Sequence, residues 1–168
     1  MSHDIQQLTQ NLVSLFLQKS IKVCTAESCT GGLIAKTFTD LAGSSEWFDR
    51  GFVTYSNQSK IDLLGVQLAT LEAYGAVSEE VAREMAVGAL QFSQSQLSIA
   101  VTGIAGPGGG SKAKPVGTVC FGFAVKNDTD ENKIWVEKQW FDGNRSQVRE
   151  ASLLFALGRI QSLLTPLL

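Results

Sequence analysis

The chain is poor in the groups that most often carry acid–base or metal chemistry. It has one histidine, His3, close to the N-terminus, so a Ser–His–Asp or Cys–His arrangement is poorly supplied. Three cysteines, Cys24, Cys29 and Cys120, form an odd set with no C-x-x-C pair, which indicates neither a disulfide framework nor a zinc site. There is no HExxH motif and no DxDxD cluster, so no metal and no other cofactor is expected. No basic run of five or more occurs, the net charge is −2 and the pI is near 5.4. That balance argues against a nucleic-acid partner. No apolar run approaches the roughly 18 residues a membrane span needs. The first 20 residues also lack the basic start, apolar core and cleavage site of a secretory signal. The expectation is a reduced, cytoplasmic protein without membrane association.

What is present describes an ordered globular chain. Hydrophobic residues make up 44% of the sequence and charged ones 18%, and 168 residues suit one domain spanning 1–168. Ile5, Leu8, Leu12, Val13, Leu15 and Phe16 recur at helical spacing over about 4–19. "IKVCTA" reads as a buried strand, and Leu33, Ile34, Phe38 and Leu41 predict a helix from Cys29 to Leu41 with Gly43 as its stop. "WFDRGFVTYS" reads as a second strand, followed by a short helix around 57–64. Ser78, ahead of Glu79 and Glu80, is an N-cap for the next helix. "LSIAVTG" is nearly all apolar, as a strand covered on both faces should be. "VGTVCFGFAV" and "KIWVEKQWF" flank the polar turn "KNDTDEN" as a hairpin, and Asn144 with Gln147 forms a capping box for a last helix to about Leu164. The order predicts an α/β fold: a three-layer α/β/α sandwich around a mixed, mostly parallel five-stranded sheet. Trp47, Phe48, Trp135 and Trp140 can serve either the core or an interface. A homo-oligomer, a dimer, is the expected assembly.

Ligands of open α/β sheets bind beyond the carboxyl ends of the strands. Three polar loops share that position: "ESCTGG", "YSNQSK" and "TGIAGPGGGS". Ser28, at the first strand-to-helix junction, is either the helix N-cap or a nucleophile next to free main-chain amides of residues 29–32. Gly31 and Gly32 would then permit close approach of a substrate. Cys29 is a rival nucleophile that lacks a histidine base. Lys60 is either an ordinary surface lysine or a base whose pKa burial has lowered. Tyr55 is a strand-packing residue, a proton relay or a stacking surface. Glu27 orients the serine, pairs with Lys60 or faces solvent.

The third loop satisfies neither the Walker A pattern nor the dinucleotide fingerprint, since Ser111 stands where the last glycine would fall. Thr102, Gly103 and Gly106 can still present amides to a phosphate. Arg145 is a second anion ligand, with Arg149 one helical turn on as its competitor. Ser111 is a weaker alternative nucleophile.

"TAESCTGGLIAK", "DRGFVTYSNQSK", "GAVSEEVAREMA" and "VTGIAGPGGGSKAKPVGTV", in that order, resemble the nicotinamide-nucleotide amidohydrolase family. This is the deamidase domain that also forms the C-terminal part of CinA-type competence/damage proteins, and the chain resembles its stand-alone form. The resemblance is dense over about 20–120 and implies hydrolysis of the carboxamide of nicotinamide mononucleotide (NMN). The products would be nicotinate mononucleotide and ammonia, and the role NAD recycling. By motif it implies Ser28 as nucleophile, Lys60 as base and Tyr55 as the supporting group, with Thr102 and Arg145 at the substrate.

Overall fold

The computed structural model describes residues 3–127 and 131–165. The first helix, α1 (His3–Lys19), buries Ile5, Thr9, Leu12, Val13 and Phe16 along one face, the stripe its spacing calls for. It leads into β1 (Val23–Glu27), buried from end to end. There follow α2 (Leu33–Thr39), β2 (Phe48–Val53), α3 (Asn57–Leu64), α4 (Leu68–Tyr74) and α5 (Glu79–Gln91). The chain continues through β3 (Leu97–Gly103), β4 (Thr118–Val125) and β5 (Lys133–Trp140) to α6 (Arg145–Leu164).

The five strands lie in the order β2-β1-β3-β4-β5. β1 pairs parallel with β2 and with β3, whereas β3–β4 and β4–β5 are antiparallel. Four strands therefore point one way and only β4 is reversed, giving the mixed, mostly parallel sheet that the element order predicts. The chain leaves β1 toward β2 on one side and later enters β3 on the other. The carboxyl end of β1 is thus the topological switch point, where such sheets open a crevice.

The two faces of the sheet are built from different residue sizes. Leu97, Ile99, Val101, Val119, Phe121 and Phe123 face α1, α2 and α6 in one large cluster. Ala26, Ala100 and Ala124 meet α3, α4 and α5 on the other face. At Gly122 an added Cβ would sit 2.2 Å from the Ala82 carbonyl oxygen of α5. Small residues let α5 lie close against the central strands, and any larger side chain there would push it away.

Several local expectations hold. Ser78 caps α5 by accepting from the Val81 amide. Asn144 and Gln147 form the capping box of α6. Trp47 is buried, its Nε1 donating to the Phe38 carbonyl, whereas Trp140 is exposed and donates to the Val116 carbonyl. The β4–β5 hairpin forms as expected, although residues 128–130 of its turn lie outside the described residues.

Two elements differ from the sequence reading. The second helix starts at Leu33, four residues later than Cys29, and ends at Thr39, for reasons that belong to the site. The helix α4 is not predicted by its spacing, because its cap is tertiary. Gln67 supplies no side-chain cap; instead Glu84 of α5 accepts from the Gln67 amide at 2.8 Å and from the Thr70 hydroxyl at 2.6 Å. Among the described residues no helix is long and apolar enough to cross a membrane.

Candidate active site

The reactive geometry starts where β1 ends. The Ser28 amide still donates to the Val101 carbonyl of β3 at 2.9 Å, so Ser28 is fixed as an extension of the sheet. The chain then turns sharply through Gly31 and Gly32, both left-handed at φ 58° and 95°, a conformation that glycine adopts without steric cost. Ser28 is not the N-cap of α2. That position falls to Gly32, and the capping acceptor is the buried carboxylate of Glu27, which takes the amides of Gly32 (3.1 Å), Ile34 (3.1 Å) and Ala35 (2.8 Å).

This changes the supply of amides in the turn. The Gly31 amide donates to the Ser28 carbonyl and the Gly32 amide to Glu27. Those of Cys29 and Thr30 are engaged neither by a backbone carbonyl nor by Glu27. Gly31 and Gly32 do not line the cleft. Their role in the structure is the turn itself.

Lys60 comes from the first turn of α3. Ser56 and Ser59 close a reciprocal capping box there, which starts the helix at Asn57 and turns Lys60 inward. Lys60 is 1% exposed. Its Nζ donates to the Thr54 carbonyl at 2.8 Å and lies 3.1 Å from Ser28 Oγ. No carboxylate pairs with it among the described residues, so neither Glu27 nor any other acid holds it protonated. Burial pulls its pKa below the 10.5 of a free lysine, against a smaller opposing pull from the Cys29 sulfur. Cys29 is itself buried, and desolvation pushes its thiol up to about 12. It stays protonated at neutral pH and is a poor nucleophile.

The far wall of the cleft is the loop after β3. Thr102 is buried, with its hydroxyl donating to the Ala76 carbonyl at 2.8 Å. A side chain at Gly103 would meet Val119 Cγ2 at 2.8 Å and the Thr118 carbonyl at 2.9 Å, so this position is small because β4 crosses behind it. Gly106 is left-handed, and its carbonyl accepts from Arg145 Nη1 at 2.9 Å. The other terminal nitrogen of Arg145 donates to the Tyr55 hydroxyl at 2.6 Å.

Tyr55 is 58% exposed. It sits on the rim, tied to Arg145 rather than to Lys60. Arg145 lines the cleft and Arg149 does not; Arg149 instead reaches the back of the turn after Ser28, Nη2 donating to the Thr30 carbonyl at 2.8 Å. Ser111 is bonded into a turn with Lys114 and also lies outside the cleft lining.

Together these groups enclose a cleft of about 280 Å³, lined by Ser28, Cys29, Tyr55, Lys60, Thr102, Arg145 and the main chain from Gly103 onward. Asn57, Ala76 and Val77 complete it; they fall within "YSNQSK" and "GAVSEEVAREMA", but the sequence reading assigns none of them a role in the cleft. Ala76 and Val77 arrive through the α4–α5 connection and are held there by Thr102. The exposed His3 lines no part of it. Among the described residues no three His, Cys, Asp or Glu side chains come together as a metal site.

Known proteins resemble this chain along nearly its whole length. The nicotinamide-nucleotide amidohydrolase PncC of Enterobacter agglomerans is 52% identical over 153 residues, covering 91% of both chains. A CinA-like protein of Chlorobaculum tepidum is 48% identical over 160 residues, which are 93% of this chain and 38% of that longer one. The crystal structure of the competence/damage inducible protein CihA of Agrobacterium tumefaciens superposes with a TM-score of 0.92 at 44% identity, covering 97% of each chain. The profile of the CinA C-terminal domain matches residues 5–164. With a family profile matched over residues 5–164 and a relative 52% identical over 91% of both chains, the chain belongs to the CinA C-terminal domain family.

Proposed function

We propose that this protein is a serine amidohydrolase that cleaves the carboxamide of NMN to nicotinate mononucleotide and ammonia. One observation carries the reading: a buried lysine with no carboxylate partner has its Nζ 3.1 Å from a serine hydroxyl at the floor of a cleft. Burial favours the neutral amine, and a neutral amine can accept the serine proton. The relative from Enterobacter agglomerans, which bears the name of this activity, supplies the substrate.

The reaction then balances without a histidine. Ser28 Oγ attacks the amide carbon as its proton passes to Lys60 Nζ. The resulting oxyanion is received by the main-chain amide of Cys29, which lines the cleft beside Ser28. Collapse breaks the C–N bond, and protonated Lys60 gives its proton to the departing nitrogen, which leaves as ammonia. Water then attacks the acyl ester and yields a proton to Lys60. The C–O bond to Ser28 breaks, Ser28 regains a proton and nicotinate mononucleotide is released. Arg145 and the exposed main chain of residues 108–110 face the phosphate, with Tyr55 orienting Arg145.

The test compares wild type and Ser28→Ala in ammonia release from NMN, with nicotinamide and NAD run in parallel, and in calorimetric binding of NMN. Ser28→Ala is expected to bind NMN and release no ammonia. Turnover retained in Ser28→Ala removes Ser28 as nucleophile. Binding without ammonia in the wild type replaces the enzyme with a nucleotide-binding module of the same fold.

A further inference from the structure

Two charged side chains grip the nucleophile turn from outside the cleft. On the α2 side Glu27, 0% exposed, accepts the three amides that open the helix. On the α6 side Arg149 donates to the Thr30 carbonyl. Gly31 lies between them, and a Cβ added there would come 3.4 Å from Arg149 Nη2. The two charges form no salt bridge with each other or with Lys60, and neither lines the cleft.

Both residues are costly choices for a position that only needs filling. A buried carboxylate is tolerated when several donors satisfy it, and here all of those donors belong to the segment that follows Ser28. Arg149 bears a further cost, because its Nε is buried without a partner. An apolar side chain of similar length would avoid that loss. What each charge achieves is directional: Glu27 draws amides of the turn and helix to one side, and Arg149 draws the Thr30 carbonyl to the other.

We propose that Glu27 and Arg149 are positioning residues that fix the turn of residues 28–32, holding Ser28 Oγ in reach of Lys60 Nζ. Displacing a reacting group by about 1 Å can cost on the order of 100-fold in rate, so a modest relaxation of the turn is enough to matter. This inference rests on the reading of Ser28 as nucleophile but not on the identity of the substrate.

The experiment uses the full chain and the variants Glu27→Gln, Arg149→Met and Arg149→Lys. One readout is kcat and KM for ammonia release from NMN. A second is the rate at which phenylmethanesulfonyl fluoride labels Ser28, in which Oγ bonds to sulfur, fluoride leaves and the hydroxyl proton passes to Lys60. A third is Tm, which corrects both rates for the folded fraction. For Arg149→Met we expect kcat and the labelling rate to fall together by roughly 10- to 100-fold, with KM changed by less than about threefold. Glu27→Gln should behave alike, since its amide group turns a donor toward donors, and Arg149→Lys should recover part of the rate.

Variants that label and turn over at the wild-type rate per folded molecule, with only a lower Tm, overturn the positioning role. An Arg149→Met enzyme with raised KM and unchanged labelling makes Arg149 a substrate ligand instead and also overturns it. Wild type that labels at Ser28 yet releases no ammonia from NMN overturns the substrate, and the labelling rates of the variants still decide the positioning role. Wild type that neither labels at Ser28 nor releases ammonia overturns the nucleophile and the inference together.

Discussion

The turn after β1 and the loop after β3 leave neighbouring parallel strands at the same sheet edge, yet they are secured by opposite means. The turn of residues 28–32 is short, mostly buried and bonded on three sides: to β3 through the Ser28 amide, to Glu27, and to Arg149. The loop over 104–117 is fastened at its base, where the Ile104 amide meets the Thr118 carbonyl and the Gly117 amide meets the Ile104 carbonyl, and by a few side chains along its flanks: Arg145 and Trp140 donate to the Gly106 and Val116 carbonyls, and Lys114 donates to the Tyr74 carbonyl. Its tip, residues 107–113, is exposed, and Gly109 and Gly110 are both left-handed. In the proposed mechanism the first segment holds the attacking oxygen, which must not move during bond making. The other offers main chain that can adapt to a ligand. Rate should therefore be most sensitive on the β1 side of the cleft, and affinity on the β3 side.

The sharpest break of that contrast is at Lys60. Lys60→Met should lower kcat by about 100- to 10,000-fold, the range that a general base commands, and the loss should appear in a single-turnover assay of ammonia release. The pH dependence has a defined sign. Lys60 must be neutral to accept the serine proton, so wild-type kcat/KM should rise with pH through its folded pKa, which lies below 10.5.

Stability carries the same signature. Between the lowered folded pKa and the 10.5 of the unfolded chain, the unfolded state binds the extra proton, so wild-type stability rises with pH across that window. Below the window the burial cost is fully present. The Met variant lacks it and should be at least as stable as wild type at pH 7, with an advantage that shrinks as pH approaches 10.5. Scanning calorimetry at pH 7 and pH 10 reads this directly. A Met variant that is less stable at pH 7 and gains as pH rises would show that Lys60 is buried as a stabilising cation.

Arg145 tests the other side. Its two terminal nitrogens are held by the Gly106 carbonyl and the Tyr55 hydroxyl, which aim the guanidinium across the cleft mouth. Arg145→Ala should raise KM for NMN by about 10- to 100-fold, the worth of a charged hydrogen bond of roughly 1.5–3 kcal/mol, with kcat changed by only a few-fold. Steady-state kinetics with NMN and with uncharged nicotinamide separate the effects, because a substrate without phosphate should lose little. An Arg145→Ala enzyme impaired in kcat to the extent of Lys60→Met would erase the division between the two sides.

How much of this was legible depended on whether the determining contact was local. Strand β3, the cap of α5 and the capping box of α6 are written in contiguous residues, and they formed where the sequence placed them. The candidates at Ser28 and Lys60 were legible as residue types at strand ends, but their separation of 3.1 Å depends on β1 and β2 pairing side by side. Glu27 was the hardest residue to read. Ser28 looks like the cap because serine is a common one and stands close to two glycines, whereas the real acceptor precedes it and folds back over the turn. Lys60 and Glu27 as a salt bridge was an equally reasonable expectation, and the helix amides took the carboxylate first. The helix α4 and the placing of Ala76 and Val77 depend on Glu84 and Thr102, distant in sequence, and no local pattern encodes them.

The smallest expected effect is at Tyr55, and it decides whether the rim belongs to the binding side. The phenol oxygen accepts from Arg145 at 2.6 Å in a ring that is 58% exposed, and no hydrogen bond joins it to Ser28 or Lys60. If its work is to orient Arg145, Tyr55→Phe removes one exposed hydrogen bond worth about 0.5–1.5 kcal/mol. KM for NMN should then rise by roughly two- to tenfold, with kcat and the sulfonyl fluoride labelling of Ser28 unchanged. Combined with Arg145→Ala, the second substitution should add almost nothing, because both act through one contact. If turnover instead falls as steeply as in Lys60→Met, the cleft must close in the complex and bring the phenol to the Ser28–Lys60 pair. In that case Tyr55 passes from the adaptable side to the fixed one, and proton transfer to the departing amine runs through it.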